Sequence, residues 1–336
     1  MRNYALRRVV ISLFAAGSLL LTACSATIPT PVVDESRKGN INETRLVSVL
    51  DHTEATMRMS AEEKSPAPLN SRFANLGLRM RSAELAIATA NNQELLPIDL
   101  STAQATASQG SSWPRAFFNV SEITEGKAPV VSVFRQEQAT ENYHLNYWAS
   151  LLPGAKWPST ARLESGAPLL PDTATGLVLS PRDALGAYVK LINDPNNEAK
   201  DLFESDPFME HLRSYMSEWQ SKVSEIADAS MSATAEEPLI TTLGLENEGA
   251  LMAGGISYDI TSTVKLEGSS ITLTGPIQAL MGDNKEVTGR LVSKRAVSLI
   301  MVIPKADSGE KIRVIGAHVT PLSVSSQSWA DLHPGG

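Results

Sequence analysis

Cysteine is nearly absent from this chain: there is one, Cys24, in 336 residues. A lone thiol excludes an internal disulfide framework and a thiolate zinc cluster, each of which needs several. Aromatic residues are scarce too, at 5%. Lys plus Arg number 29 against 37 for Asp plus Glu, giving a formal charge of -8. An acidic chain of this kind lacks the basic face that holds nucleic acid. Catalytic signatures are missing as well: no Gly-x-Ser-x-Gly elbow, no His-Glu-x-x-His helix and no Gly-x-x-x-x-Gly-Lys loop. What remains is 42% hydrophobic and 20% charged, ordinary for a globular chain, with length for about two domains of roughly 150 residues.

The first residues carry the most information. Arg2, Arg7 and Arg8 form a basic start, and Val9 to Ala23 is an apolar run interrupted by Ser12, Gly17, Ser18 and Thr22. That run is short for a membrane span, which needs about 20 residues, and fits a secretory segment. It ends in Leu21-Thr22-Ala23-Cys24, which resembles the lipobox of bacterial lipoproteins. The resemblance implies cleavage between Ala23 and Cys24 and acylation of the Cys24 thiol, so that the membrane is the first expected partner. Two acyl chains anchor stably where one binds marginally. The Arg7-Arg8 pair has Leu6 before it rather than Ser or Thr, which favours the general secretory route over twin-arginine export.

Loss of residues 1–23 removes three arginines and no acids, leaving 26 basic against 37 acidic residues and a charge of -11. Residues 24–42 follow as a tether, polar and without a sustained apolar period. At about 3.1 Å per extended residue it reaches on the order of 50 Å.

The rest reads as α+β, in two helix-plus-antiparallel-sheet rolls of cystatin-like or nuclear-transport-factor-like order; a divergent duplication is one origin for the pair. An N-terminal domain spans 43–152. Leu46, Leu50 and Met57 mark a helix from Thr44 to about Ser60. Leu76 to Ala90 fits a strand or a helix. Trp113–Ile123, Val130–Arg135 and Tyr143–Leu152 read as strands. Residues 153–180, rich in Pro and small residues, are expected to be a linker. A C-terminal domain at 181–326 opens with Ser180-Pro181-Arg182-Asp183, cap chemistry for a helix, and a second helix starts at Asp206-Pro207. Its apolar stripe runs through Phe208, Leu212, Tyr215, Met216, Trp219, Val223 and Ile226. After it only strands are expected: Leu239–Leu245, Leu251–Val264, Ile271–Leu280, Val287–Ile303 and Ile312–Val324, a meander covered by the two helices. Residues 327–336 are a tail.

Candidate chemistry is thin. Asp194, Asn196 and Glu198 have calcium-loop spacing, but Ala199 stands where Gly is needed and Ser205 where a bidentate Glu is needed. His211 lies near Glu218 on one helix face and could form an acid/base pair, although a solvated face explains both. His318, inside a terminal strand, reads as a structural histidine. Tyr143, Tyr147, Trp148 and Trp157 cluster within fifteen positions. They are candidates for a ligand or partner surface, or else for a sheet face packed under a helix. No cofactor, metal or catalytic residue is assigned.

With the Trp148-Ala149-Ser150-Leu151-Leu152-Pro153-Gly154 stretch and the Ser-Pro-Arg-Asp helix start added to the lipobox, the chain resembles actinobacterial cell-envelope lipoproteins whose main domain has no assigned activity. That resemblance implies the extracytoplasmic face of the cell membrane. The expected function is a membrane-anchored, non-catalytic binding or scaffold module for an envelope protein or small ligand. The alternative is an envelope-acting enzyme with a small acid/base pocket in one roll. A two-lobed solute receptor fits poorly, because its lobes need strands alternating with helices.

Overall fold

The computed structural model describes residues 38–236 and 239–334. The signal segment, Ala23 and Cys24 lie outside them. Helix α1 (Glu43–Glu63) is capped by the Asn42 side chain, which accepts from the Arg45 N–H at 2.9 Å. A 3-10 turn at Ala67–Ser71 leads to α2 (Asn75–Ala90). The ambiguous segment is thus a helix: Leu76 and Met80, four apart, share a buried face. Strands β1 (Gln104–Ala107), β2 (Arg115–Val120), β3 (Val130–Gln136), β4 (His144–Leu151) and β5 (Leu169–Leu170) follow. Then come α3 (Pro181–Asn193) and α4 (Pro207–Val223), β6 (Ala227–Ala235), β7 (Thr241–Gly244) and β8 (Ala250–Val264). The chain ends with β9 (Ile271–Thr272), α5 (Gly275–Met281), β10 (Glu286–Val287), β11 (Arg290–Ile303), β12 (Arg313–Gln327) and α6 (Trp329–Leu332).

The α+β class holds, but the two separate rolls do not. One ten-stranded sheet runs β1-β2-β3-β4-β12-β11-β8-β7-β5, with β6 also on β8, and the described residues form one compact unit. The expected linker at 153–180 is woven into that unit. Leu169 and Leu170 pair with β7, and Leu177 bridges Lys305. The end of the expected tether is docked as well: Gly39 bridges Gln109, and Ile41 is buried in the core. At the other end, α6 carries a capping box from Ser328 to Asp331, and Trp329 packs inward, so the expected tail is partly structured.

The central strands are buried on both faces, because alternate residues meet different helices. Gly254 of β8 faces Leu185 of α3, while Gly255 faces Leu76 of α2 and Tyr147 of β4. The β11–β12 pair is the hairpin that the turn signals predict, but β8 pairs with β11 directly, past the segment expected between them. The expected strand at Ile271–Leu280 is instead a two-residue strand followed by α5. Pro276 at the first turn and the small-residue Thr274-Gly275 start suit a helix entry. The mostly small and polar β6 (ADASMSATA) gave no strand pattern and owes its place to pairing with β8.

Asp206 ties the C-terminal layer together. Its carboxylate caps α4 through the Met209 N–H at 2.8 Å and accepts from the Tyr188 hydroxyl of α3 at 3.0 and 3.1 Å. Burial raises its pKa above the ordinary aspartate value despite these donors. A raised folded-state pKa stabilises the fold as pH falls, and that contribution is lost as pH rises through it. Asp206→Asn keeps an equally good cap without the buried charge. Urea unfolding should therefore place it level with the wild type at about pH 3 and equal or above it near neutrality. Asp206→Ala loses the cap and strands the Tyr188 hydroxyl, at a cost of about 1–3 kcal/mol.

Candidate functional site

The four aromatic candidates do not form a surface. Tyr143, Tyr147 and Trp148 are 1%, 2% and 3% exposed, and Trp157 packs against the same N-terminal core. Tyr143 lies against Phe117, Trp148 meets Phe73 edge to face, and the Tyr147 hydroxyl donates to the Leu239 carbonyl. In an aromatic-poor chain these rings supply the bulk of the N-terminal core. His211 is exposed; Glu210 accepts from Ser205 and Glu218 from Ser214, so no His–Glu pair forms.

His318 is drawn into a polar cluster that the sequence did not reveal. Glu84 of α2 accepts from His318 Nε2 at 2.7 Å and Thr320 Oγ1 at 2.9 Å, both on β12, and from Arg81 Nη1 at 2.9 Å. The His318 nitrogen facing this carboxylate must carry the hydrogen. Burial pushes the Glu84 carboxyl up, but the bonds and charges of His318 and Arg81 outweigh it, and its pKa lies below the ordinary glutamate value. The Trp148 ring flanks the imidazole at 5.3 Å. Every donor converges on one carboxylate and none is a nucleophile held by a base, so the cluster staples α2 to β12 rather than offering a reaction centre.

A different constellation forms at the far end of the sheet, where a cleft of ≈590 Å³ opens between α4, the ends of β8 and β11, and the β9–α5 segment. Its size lies within the range of about 300–1,000 Å³ typical of small-ligand sites. Val223, Ile260, Leu273, Ile277 and Leu291 make it apolar, and Trp219 lies along it with Nε1 donating to Ser262 Oγ at 2.9 Å. Ser293 and Arg295, two apart on β11, project to the same face. A register slip between Lys294 and Arg295 leaves Leu322 of β12 unpaired, a bulge next to Pro321. Beyond its two-residue pairing with β4, β12 is an edge, which is where a proline that cannot donate is tolerated.

Two polar groups on residues of the cleft wall are buried without a partner. Arg295 packs over the Tyr215 and Tyr258 rings at 5.7 and 5.8 Å, and its Nη2 reaches the Tyr215 hydroxyl at 3.4 Å. Its buried Nη1 has no partner, and neither does Ser293 Oγ on a side chain whose residue is 4% exposed. Burial pushes the Tyr258 hydroxyl up to about 12, Arg295 opposing, so it stays protonated. Lys222 adds a second cation, and among the described residues no Asp, Glu or His lines the cleft. Asp259, between Tyr258 and Ile260, projects to the opposite face of β8. A wider cavity of ≈870 Å³ beside α1 and α2 has Glu54, Glu94 and Asp99 facing Arg58, Arg81 and Lys127, so its charges offset one another.

Sequence reasoning placed Tyr215 and Trp219 in the apolar stripe of α4 but took that stripe as core; Tyr215 is 39% exposed at the mouth of the cleft. Arg295 left a weak signal, a charged pair with Lys294 interrupting an apolar strand.

No protein-family model matches the chain, and no curated protein or solved structure matches it either. Among the described residues no group of three or more His, Cys, Asp or Glu is placed to hold a metal, and no helix is long and apolar enough to cross a membrane.

Proposed function

We propose that the protein is a non-catalytic, ligand-binding module of the cell envelope, tethered on the extracytoplasmic face through an acylated Cys24. The observation that carries the binding half is the α4–β11 cleft, an apolar recess with buried, unpartnered Arg295 and Ser293 groups. Buried polar groups without partners cost stability, and a ligand that satisfies them recovers that loss. The charged side chains that line the recess, Lys222 and Arg295, suit the binding of an anion. The tether half rests on Leu21-Thr22-Ala23-Cys24 and the basic, apolar leader before it.

One experiment with two readouts tests both halves. The full-length protein should fractionate with membranes, and Cys24→Ala should move it to the soluble fraction. The purified protein should turn over none of a panel of envelope esters, peptides and glycans. Retention of Cys24→Ala in membranes would overturn the tether. Turnover abolished by Arg295→Gln would overturn the non-catalytic reading.

A further inference from the structure

We infer that the α4–β11 cleft takes a single-chain amphiphile with a carboxylate head, the head on Arg295 and Ser293 and the tail along Trp219, Ile260 and Leu291. This deepens the binding reading and rests on it. The guanidinium is a rigid fork that matches a carboxylate, and its Nη1 is buried with no acceptor in the protein. Ser293 Oγ, on the same face of β11 two residues away, is buried and unpartnered in the same recess. Both atoms are covered in the empty cleft, so a carboxylate seated on this wall accepts from them once the two side chains turn toward it. A neutral alcohol of equal length fills the apolar wall equally well but offers a single uncharged acceptor in place of a bidentate, charged one.

Charge complementarity gives the sign of the head. The protein as a whole is acidic, at -8, yet the ionised side chains on this wall are Lys222 and Arg295, both cationic. Tyr215 and Tyr258 flank the guanidinium from two elements, which limits how far it can move. The apolar wall sets the other end. Leu273 and Ile277 on the β9–α5 segment face Ile260 and Leu291 on the sheet across the recess, leaving a slot for a hydrocarbon chain.

The test uses the full-length chain carrying Cys24→Ala, so that no acyl group of its own competes, and follows the emission of Trp219 against a Trp219→Phe blank. Sodium dodecanoate should give saturable binding. Arg295→Gln should weaken it at least tenfold and weaken dodecanol much less, and Ile277→Trp, which narrows the slot, should weaken both alike. Circular dichroism and urea unfolding confirm that each variant is folded. If Arg295→Gln does not fold, Ser293→Ala carries the test and should weaken dodecanoate severalfold and dodecanol less. Equal binding of dodecanol and dodecanoate in the wild type would overturn the anionic head. Tighter binding of phosphatidylglycerol vesicles than of free dodecanoate would overturn the single-chain carboxylate. Absence of saturable binding by either probe would overturn the inference entirely. None of these results alters the fractionation and turnover readouts, which decide the parent reading separately.

Discussion

Glu84→Ala is expected to destabilise the protein by about 3–5 kcal/mol, the range found when one partner of a buried ion pair is removed. The reason is what it leaves behind. Arg81 is 3% exposed, Glu84 is its ion-pair partner, and its Nε already lacks an acceptor. His318 and Thr320 lose the same acceptor at once. A guanidinium stranded in the protein interior costs far more than the three hydrogen bonds themselves contribute. Glu84→Ala with Arg81→Met should therefore recover much of the loss, because the stranded charge is gone. Urea unfolding of the two single variants and the double variant measures this directly, and a double variant no more stable than Glu84→Ala would refute it.

The same carboxylate sets an acid limb. Its folded-state pKa lies below its unfolded value, so the unfolded chain binds the extra proton. Its contribution is complete above the unfolded glutamate value, about 4.3, and is lost as pH falls through the lower folded value. Wild-type stability should drop across that window, and Glu84→Gln should flatten the drop.

Gly77→Ala is the second large effect, and two terms oppose each other in it. Alanine gains about 0.8–1.0 kcal/mol of helix propensity over glycine. A Cβ at this position, however, would stand 2.5 Å from the Leu145 carbonyl oxygen and 2.9 Å from that of Asn146. Those are backbone atoms of β4, which cannot rotate away, so α2 itself must move. Overpacking of this kind costs about 1–3 kcal/mol and occasionally more, and the shift also pulls Glu84 from His318. A net loss of about 2 kcal/mol or more is expected in chemical denaturation, whereas a gain would mean that α2 does not press on β4. Gly255→Ala is the informative contrast. Its Cβ would meet Leu76 Cδ2, the end of a flexible side chain, so its cost should be smaller.

These sites show what the sequence could and could not disclose. Cap chemistry was legible because it is local: Ser180 accepts from the Asp183 N–H at 3.2 Å and Asp206 from Met209, as their spacing implied. Long strand-like runs punctuated by turn residues gave β8, β11 and β12 for the same reason. The single sheet was not legible, since β4 reaches β12 through only Leu151 with Gly316 and Ser150 with Ala317. No pattern of period two records which distant edge a strand will meet. The aromatic cluster misled because large amphipathic rings fit a core or a surface equally well until burial is known. The cleft went unread because Tyr215 and Trp219, Ser293 and Arg295, and Ile277 come from three segments that only the fold brings together.

The narrow β4–β12 seam also bears on the order in which the molecule can be made. Strands β1 to β4 leave a ribosome early, yet the strand that completes their side of the sheet is the last one, Arg313–Gln327. Until it emerges, the edge of β4 has only the short Phe73–Leu145 bridge against it. Pairings this distant in sequence are slow to close, and open strand edges invite association with other chains while they wait. The nascent first half thus has a long interval in which it needs to be kept apart from its neighbours.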